Sequence, residues 1–300
     1  MIGQRVRRRE DPRFITGRGQ YVDDLRLKGA LHVSFVRSEW AHARIESIDT
    51  SALDGLDGVR VFTAADLDLG RWSFPAFAGR MERPYLAEGK ARFVGEILAA
   101  VLAEDRAAAA DAAEQVWAEL DPLPVVTDSR EAIKDEVLLH EEAGTNVALA
   151  DGPEQPSADL FAGCEIVATG EFESQRVHVA PIEPRATAAS WEDGKLTIWL
   201  STQTPHQDKE ALAAALGVEQ AQVRVLAPDV GGGFGGKGLG VEDVLVAWLA
   251  RTTGRPVRWT ETRSEHMVAM GHGRGQRMHF RLGGDRDGTL KALYLRLLQD

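Results

Sequence analysis

The stretch DVGGGFGGKG at residues 229–238 constrains this chain more than any other. Five of the six residues 231–236 are glycine. Ordering such a run costs much backbone entropy, so a bare turn explains it poorly. Glycine offers positive φ and a backbone with no Cβ in the way. Successive N–H groups in a turn of this kind can form a concavity for an anion, helped by a following helix N-terminus. Residues 222–226 (QVRVL) read as a strand before the loop. After it, Val241, Val244, Leu245, Trp248 and Leu249 fall at helical spacing. The loop is therefore a strand-to-helix connection suited to close approach of a ligand.

Two general motifs overlap it. Gly231, Gly233 and Gly236 satisfy the GxGxxG pattern of dinucleotide sites. The strand before the loop is flanked by hairpin signals rather than repeated βαβ units, which weakens that match. Gly231, Gly236 and Lys237 nearly satisfy the phosphate loop of nucleotide triphosphatases. Gly238 stands where that loop needs a Ser or Thr for magnesium.

The rest of the chain predicts an α+β fold. Leu31, Val33 and Phe35 alternate as one face of a strand, and residues 59–62 and 96–102 give two more. Asp105 is placed to cap an alanine-rich helix at 107–114, and 115–120 alternates again. Residues 126–160 hold Gly144, Gly152, Pro153 and Pro156 and read as a linker. Beyond it lie strands at 165–173, 186–191 and 195–200, the last two joined across Asp193 and Gly194 as a tight hairpin. A helix at 207–216 ends at Gly217. Residues 277–282 and 290–298 form a final hairpin. The expected division is residues 1–125, a linker at 126–160, and a second domain at 161–300. The closing strand has an unpaired edge, so the chain is expected to stop inside a domain.

Composition excludes some classes. Acidic residues outnumber basic ones 46 to 35, a net charge of -11, which disfavours nucleic acid as a partner. The longest apolar run, at 97–103, is far short of the ~20 residues of a membrane helix, and no secretory signal follows Arg7, Arg8 and Arg9. Cys164 is the one cysteine, which suits a reducing, cytoplasmic setting and rules out an iron–sulfur cluster held by this chain. His266, His272 and His279 fit no metal-ligand spacing and cross an expected loop, so they read as solvated or packing residues. Trp72, Phe74 and Phe77 read as a loop anchor or a subunit contact. Glu242 reads as a first-turn complement to a helix dipole.

Several collinear segments resemble one family. VGGGFGGK at 230–237 is similar to the cofactor loop of the molybdenum hydroxylases, which include xanthine dehydrogenase, aldehyde oxidoreductase and carbon monoxide dehydrogenase. STQ at 201–203 resembles the family's upstream glutamine segment, with Gln203 lying 31 residues before Phe234. HVAPIEP at 178–184 resembles its His-x-x-x-x-Glu-Pro segment. RFVGE at 92–96 and GRGQYVDD at 17–24 resemble its hammerhead domain. The resemblance covers essentially the whole chain.

The resemblance implies an α/β hammerhead domain followed by the first part of a molybdopterin-binding domain. It implies that the backbone of Gly232, Gly233, Phe234 and Gly235 contacts a molybdopterin, in its cytosine dinucleotide form, and its metal oxo group. It implies that the Gln203 amide approaches that oxo ligand. An oxo anion calls for donors, and an amide or a backbone N–H supplies one without added charge. Partners implied are an iron–sulfur small subunit and an FAD-binding medium subunit in a hetero-oligomer, acting on a small molecule. No catalytic residue or direct metal ligand is expected in this chain, because the family's general-base glutamate is expected beyond residue 300. Purine-oxidising members carry a glutamate where Gly238 stands, so the loop resembles the carbon monoxide dehydrogenase branch instead. The competing reading is a truncated or split-gene product that binds partners without catalysis.

Overall fold

A strand with no polar face has to be covered on both sides. The run at 97–103 obeys this in the computed structural model, which describes residues 2–73, 81–152 and 155–300. The strands are β1 (Leu31–Arg37), β2 (Ala43–Asp49), β3 (Arg60–Phe62), β4 (Lys90–Ala91), β5 (Ile97–Ala103), β6 (Trp117–Pro122) and β7 (Ile166–Val177), then β8 (Ala186–Glu192), β9 (Lys195–Leu200), β10 (Val223–Leu226), β11 (Val257–Thr260), β12 (Gly273–Gly284) and β13 (Leu290–Gln299). The helices are α1 (Asp11–Ile15), α2 (Arg106–Ala113), α3 (Ser129–Ala132), α4 (Pro205–Leu216), α5 (Val241–Thr253) and α6 (Arg263–Ala269).

A seven-stranded sheet runs in the order β10-β9-β8-β11-β1-β5-β3. Within β5, Ile97, Ala100 and Leu102 face the main core, while Ala99 and Val101 face a second core shared with Ala112 of α2. The main core is closed by α5, whose residues 241–250 are all buried. Two three-stranded sheets, β4-β2-β6 and β13-β12-β7, complete the fold.

Local chemistry sets the element ends. Asp193 and Gly194 both take positive φ, 50° and 71°, as a two-residue hairpin of this hand requires. The Asp105 carboxylate accepts from the Ala108 N–H at 2.9 Å and caps α2. Among the described residues no helix is long and apolar enough to cross a membrane.

The first block has two small cores of its own, around Val101 and Ala112 and around Ala91 and Leu98, and it also shares the main core with the second block. β1 pairs in parallel with β11 through Leu31 and Val257, and the Phe35 ring meets Trp259 edge-on at 5.6 Å. The main cluster takes residues from both blocks. The segment 126–160, expected as a linker, includes α3 and a turn closed by Asn146, whose amide donates to the carbonyls of Ala132 (3.0 Å) and Val137 (2.7 Å). Trp72 meets Tyr85 edge-on at 6.0 Å, while Phe74 and Phe77 lie outside the described residues.

Trp259 ties the two blocks together. It is 3% exposed, touches Phe35, and carries the Arg185 guanidinium 5.2 Å over its ring. Trp259→Ala should destabilise the protein by about 3–5 kcal/mol, the usual cost of emptying a buried aromatic site. Denaturant unfolding measures this, and a loss below ~1 kcal/mol would show that the blocks do not depend on one core.

Asp243, in the first turn of α5, accepts from the Gly240 N–H at 2.7 Å and from the Thr187 hydroxyl. Burial drives its carboxyl from an ordinary 3.8 up to about 7, against those two hydrogen bonds. Between these values the folded state keeps a proton that the unfolded state has released, so this group makes stability fall as pH rises. Asp243→Asn keeps an acceptor for Gly240 and can donate to Thr187. It should match the parent near pH 4 and exceed it at pH 8 by more than about 1 kcal/mol, since one pKa unit corresponds to ~1.4 kcal/mol. Urea unfolding at both pH values tests this, and an equal difference at the two would refute it.

Candidate functional site

The glycine loop leaves β10 and enters α5. Its start is pinned to the N-terminal arm. The Asp229 carboxylate accepts two hydrogen bonds from the Arg13 guanidinium at 2.6 Å and one from the Gln20 N–H at 2.7 Å. The loop itself is strained. Phe234 takes φ +52° between Gly232 (+97°) and Gly235 (+87°), and a non-glycine residue there costs energy that the surroundings must supply. The Phe234 side chain is 74% exposed.

Close approach explains two of the glycines. A Cβ on Gly231 would lie 2.5 Å from Glu183 Cβ, and one on Gly233 would lie 2.4 Å from Gln203 Oε1. Gln203 is thus packed on the loop. Its backbone N–H donates to the Lys237 carbonyl at 2.9 Å, and its Oε1 accepts from the N–H groups of Gly235 (3.0 Å) and Lys237 (3.4 Å). Two N–H donors at one oxygen fix which way the amide is turned. The Gln203 NH2 therefore points away from the loop's donors and makes no hydrogen bond among the described residues. The backbone N–H groups of Gly232, Gly233 and Phe234 also make none there. Three consecutive unpaired donors beside an oriented amide suit an anionic acceptor.

Lys237 does not reach outward as a phosphate-loop lysine would. It is 2% exposed, and its Nζ donates to Glu183 Oε2 at 2.8 Å. Burial pushes its amine below the ordinary lysine range, opposed by Glu183. The same Glu183 oxygen accepts from the Gly231 N–H (2.7 Å) and the Ser201 hydroxyl (2.7 Å). The phosphate-loop reading falls on this geometry.

Under the loop lies an ion network that sequence reading missed. Arg185 donates to both Glu242 oxygens at 3.0 Å and to Glu261 Oε1 at 2.5 Å. Arg37 bridges Glu242 (2.9 Å) and Glu265 (2.7 Å). Burial works against the Arg185 charge, and Glu242 and Glu261 overturn this and hold it above the ordinary arginine range. Burial likewise disfavours the Glu242 carboxylate, and Arg185 and Arg37 hold it well below the usual carboxylate range. Glu242 is thus a buried ion-pair partner as well as a first-turn acid. His266 lies on α6 rather than in a loop and is fully buried, with Nδ1 2.7 Å from Glu261 Oε2 and Nε2 2.9 Å from the Val179 carbonyl. His279 sits on β12. Among the described residues no group of three or more His, Cys, Asp or Glu is placed to hold a metal ion. Arg185, next to the Glu-Pro pair, and Glu242, just after the glycine loop, lay close to motifs, but nothing local signals that they pair.

Residues 139–300 match the molybdopterin cofactor-binding domain, and residues 16–124 match the aldehyde oxidase and xanthine dehydrogenase a/b hammerhead domain. The nicotine 6-hydroxylase large subunit of Paenarthrobacter nicotinovorans is 36% identical over 100% of this chain and 38% of its own length. The carbon monoxide dehydrogenase large chain of Afipia carboxidovorans is 36% identical over 100% of this chain and 39% of its own. The crystal structure of quinoline 2-oxidoreductase from Pseudomonas putida 86 superposes with a TM-score of 0.85 at 37% identity, covering 99% of this chain and 39% of that one. The chain thus spans about two fifths of the length of these relatives. It belongs to the aldehyde oxidase and xanthine dehydrogenase family of molybdopterin-binding large subunits, a family of molybdenum-dependent oxidoreductases.

Proposed function

We propose that this chain forms one wall of the cofactor site in a molybdenum hydroxylase large subunit, and that the enzyme oxidises a small N-heterocycle, aldehyde or carbon monoxide with oxygen from water. The observation that carries this reading is the set of unpaired N–H groups at Gly232, Gly233 and Phe234 beside the oriented Gln203 amide. The cofactor, when bound, supplies the two-electron redox chemistry. The N–H groups of Gly232, Gly233 and Phe234 would hold it, with Gly235 beside them while its own N–H donates to Gln203 Oε1, and Gln203 would hold it through its NH2. Neutral, pre-set donors stabilise negative charge without needing to reorganise. The missing Cβ atoms at Gly231 and Gly233 let the loop pack directly on Glu183 and Gln203.

The finer parts of the proposal rest on family likeness and composition. We assign residues 1–125 to the hammerhead domain, 126–160 to the connection and 161–300 to the cofactor domain. The cofactor is read as the cytosine dinucleotide form of molybdopterin. Iron–sulfur and FAD centres are placed on partner subunits, since Cys164 alone cannot ligate a cluster. The general base is placed outside residues 1–300, and the complex in the cytoplasm. Gly238 at the position of a purine-binding glutamate favours a non-purine substrate, in keeping with the nicotine, quinoline and carbon monoxide enzymes among the relatives.

Gly233→Val tests the cofactor role. Its Cβ would collide with Gln203 Oε1 and push the amide off the loop. Molybdenum per purified large subunit should fall at least tenfold, a loss equivalent to ~1.4 kcal/mol or more of binding. Wild-type molybdenum occupancy in this variant would remove the loop from the cofactor site.

A further inference from the structure

We infer that Glu183 is a positioning residue for this site, one carboxylate that sets the direction of the unpaired donors at Gly232, Gly233 and Phe234. The inference rests on the cofactor reading above. Gly231 immediately precedes those three residues, and it is held twice by Glu183: its N–H donates to Oε2 at 2.7 Å, and its carbonyl accepts from the Glu183 N–H at 3.2 Å. Lys237 closes the loop, and its ammonium returns to the same Oε2 at 2.8 Å. Both ends of the glycine run therefore meet at one oxygen atom. Ser201 donates to that oxygen as well, at 2.7 Å, two residues before Gln203. The carboxylate thus also steadies the segment that carries the amide.

Glu183 shares the loop with two other anchors, Asp229 at its start and Gln203 at Gly235 and Lys237, but it alone holds both Gly231 and the Lys237 side chain. Phe234, its one large side chain, is mostly in solvent, and three of its residues sit at positive φ. A strained segment without a core of its own keeps its geometry only if its ends are over-determined. Charge-assisted hydrogen bonds are the strong ones and suit that task. The use of the carboxylate is also lopsided. All three donors fall on Oε2, while Oε1 is buried with no hydrogen-bond partner. A carboxylate kept only to brace the fold would be expected to satisfy both oxygens.

Three variants of the cofactor-loaded complex separate positioning from bracing: Glu183→Met, Lys237→Met and the double variant. Removing one partner of a buried ion pair is costly, whereas replacing both by apolar groups of similar size is near neutral. The melting temperature of the cofactor-free protein should therefore be higher in the double variant than in either single one. Molybdenum and pterin per chain should rank differently. Lys237→Met loses one tether but keeps the Glu183 contacts to Gly231 and Ser201, so its content should fall by less than that of Glu183→Met. Glu183→Met and the double variant should both fall at least fivefold, a change of ~1 kcal/mol in binding. If cofactor content instead follows melting temperature, recovering in the double variant, Glu183 is only a brace and the inference fails. Parent-like content in Glu183→Met also overturns it. Should that variant not accumulate, the double variant against Lys237→Met decides the matter in the same way. A parent complex without molybdenum would overturn the cofactor reading itself, and this inference with it.

Discussion

Arg185 between Glu242 and Glu261 is the interaction on which the surroundings of the loop depend. It lies just before β8, Glu242 opens α5, and Glu261 follows β11. Arg37, at the end of β1, reaches the same Glu242 and brings the hammerhead strand to the same point. A buried pair of this kind adds little net stability against an apolar replacement, but breaking it by removing one partner costs about 3–5 kcal/mol. Its structural effect is to bring four chain segments to one corner of the sheet. The glycine loop sits above that corner, and a Cβ on Gly240 would already touch Glu242 and Arg185 at 3.0 and 3.2 Å.

Elements with a local cause were legible in the sequence. The hairpin at Asp193 and Gly194, the Asp105 cap and the end of α4 at Gly217 each follow from one or two residues. The glycine loop was legible because few other compositions permit such a backbone, and Gln203 only through the resemblance of its segment and spacing to the family's glutamine. What was hidden depends on contacts far apart in sequence. β11 is four residues long and gains its place by pairing with β1 on one side and β8 on the other. Its Val257-Arg-Trp-Thr alternation is too short to stand out by itself. β2 has a mixed pattern, half-buried at Ile45 and Ile48 and exposed at Glu46 and Ser47, so alternation did not mark it. Glu183 and Lys237 were visible as members of motifs, yet nothing in the one-dimensional sequence says that they face each other across 54 positions.

The buried charges also separate this loop from the two phosphate-binding motifs that it resembles on paper. In both motifs the positive end of the helix serves the ligand, and in the nucleotide triphosphatase loop an outward lysine does so too. Here α5 spends its first turn on its own residues, with Asp243 accepting from the Gly240 N–H and Glu242 adding a second acid. Lys237 is turned inward to Glu183. The field at the loop is therefore closer to neutral than in a phosphate site, because Lys237, Arg185 and Arg37 each have a carboxylate, while Arg263 is held by the carbonyls of Pro181 and Ile182. What remains for a ligand is a set of uncharged N–H donors held in place by ion pairs that do not themselves reach it. A site of fixed, uncharged donors answers charge that develops on a bound group as well as charge that is already there. The ion pairs supply rigidity, and the backbone supplies the contacts.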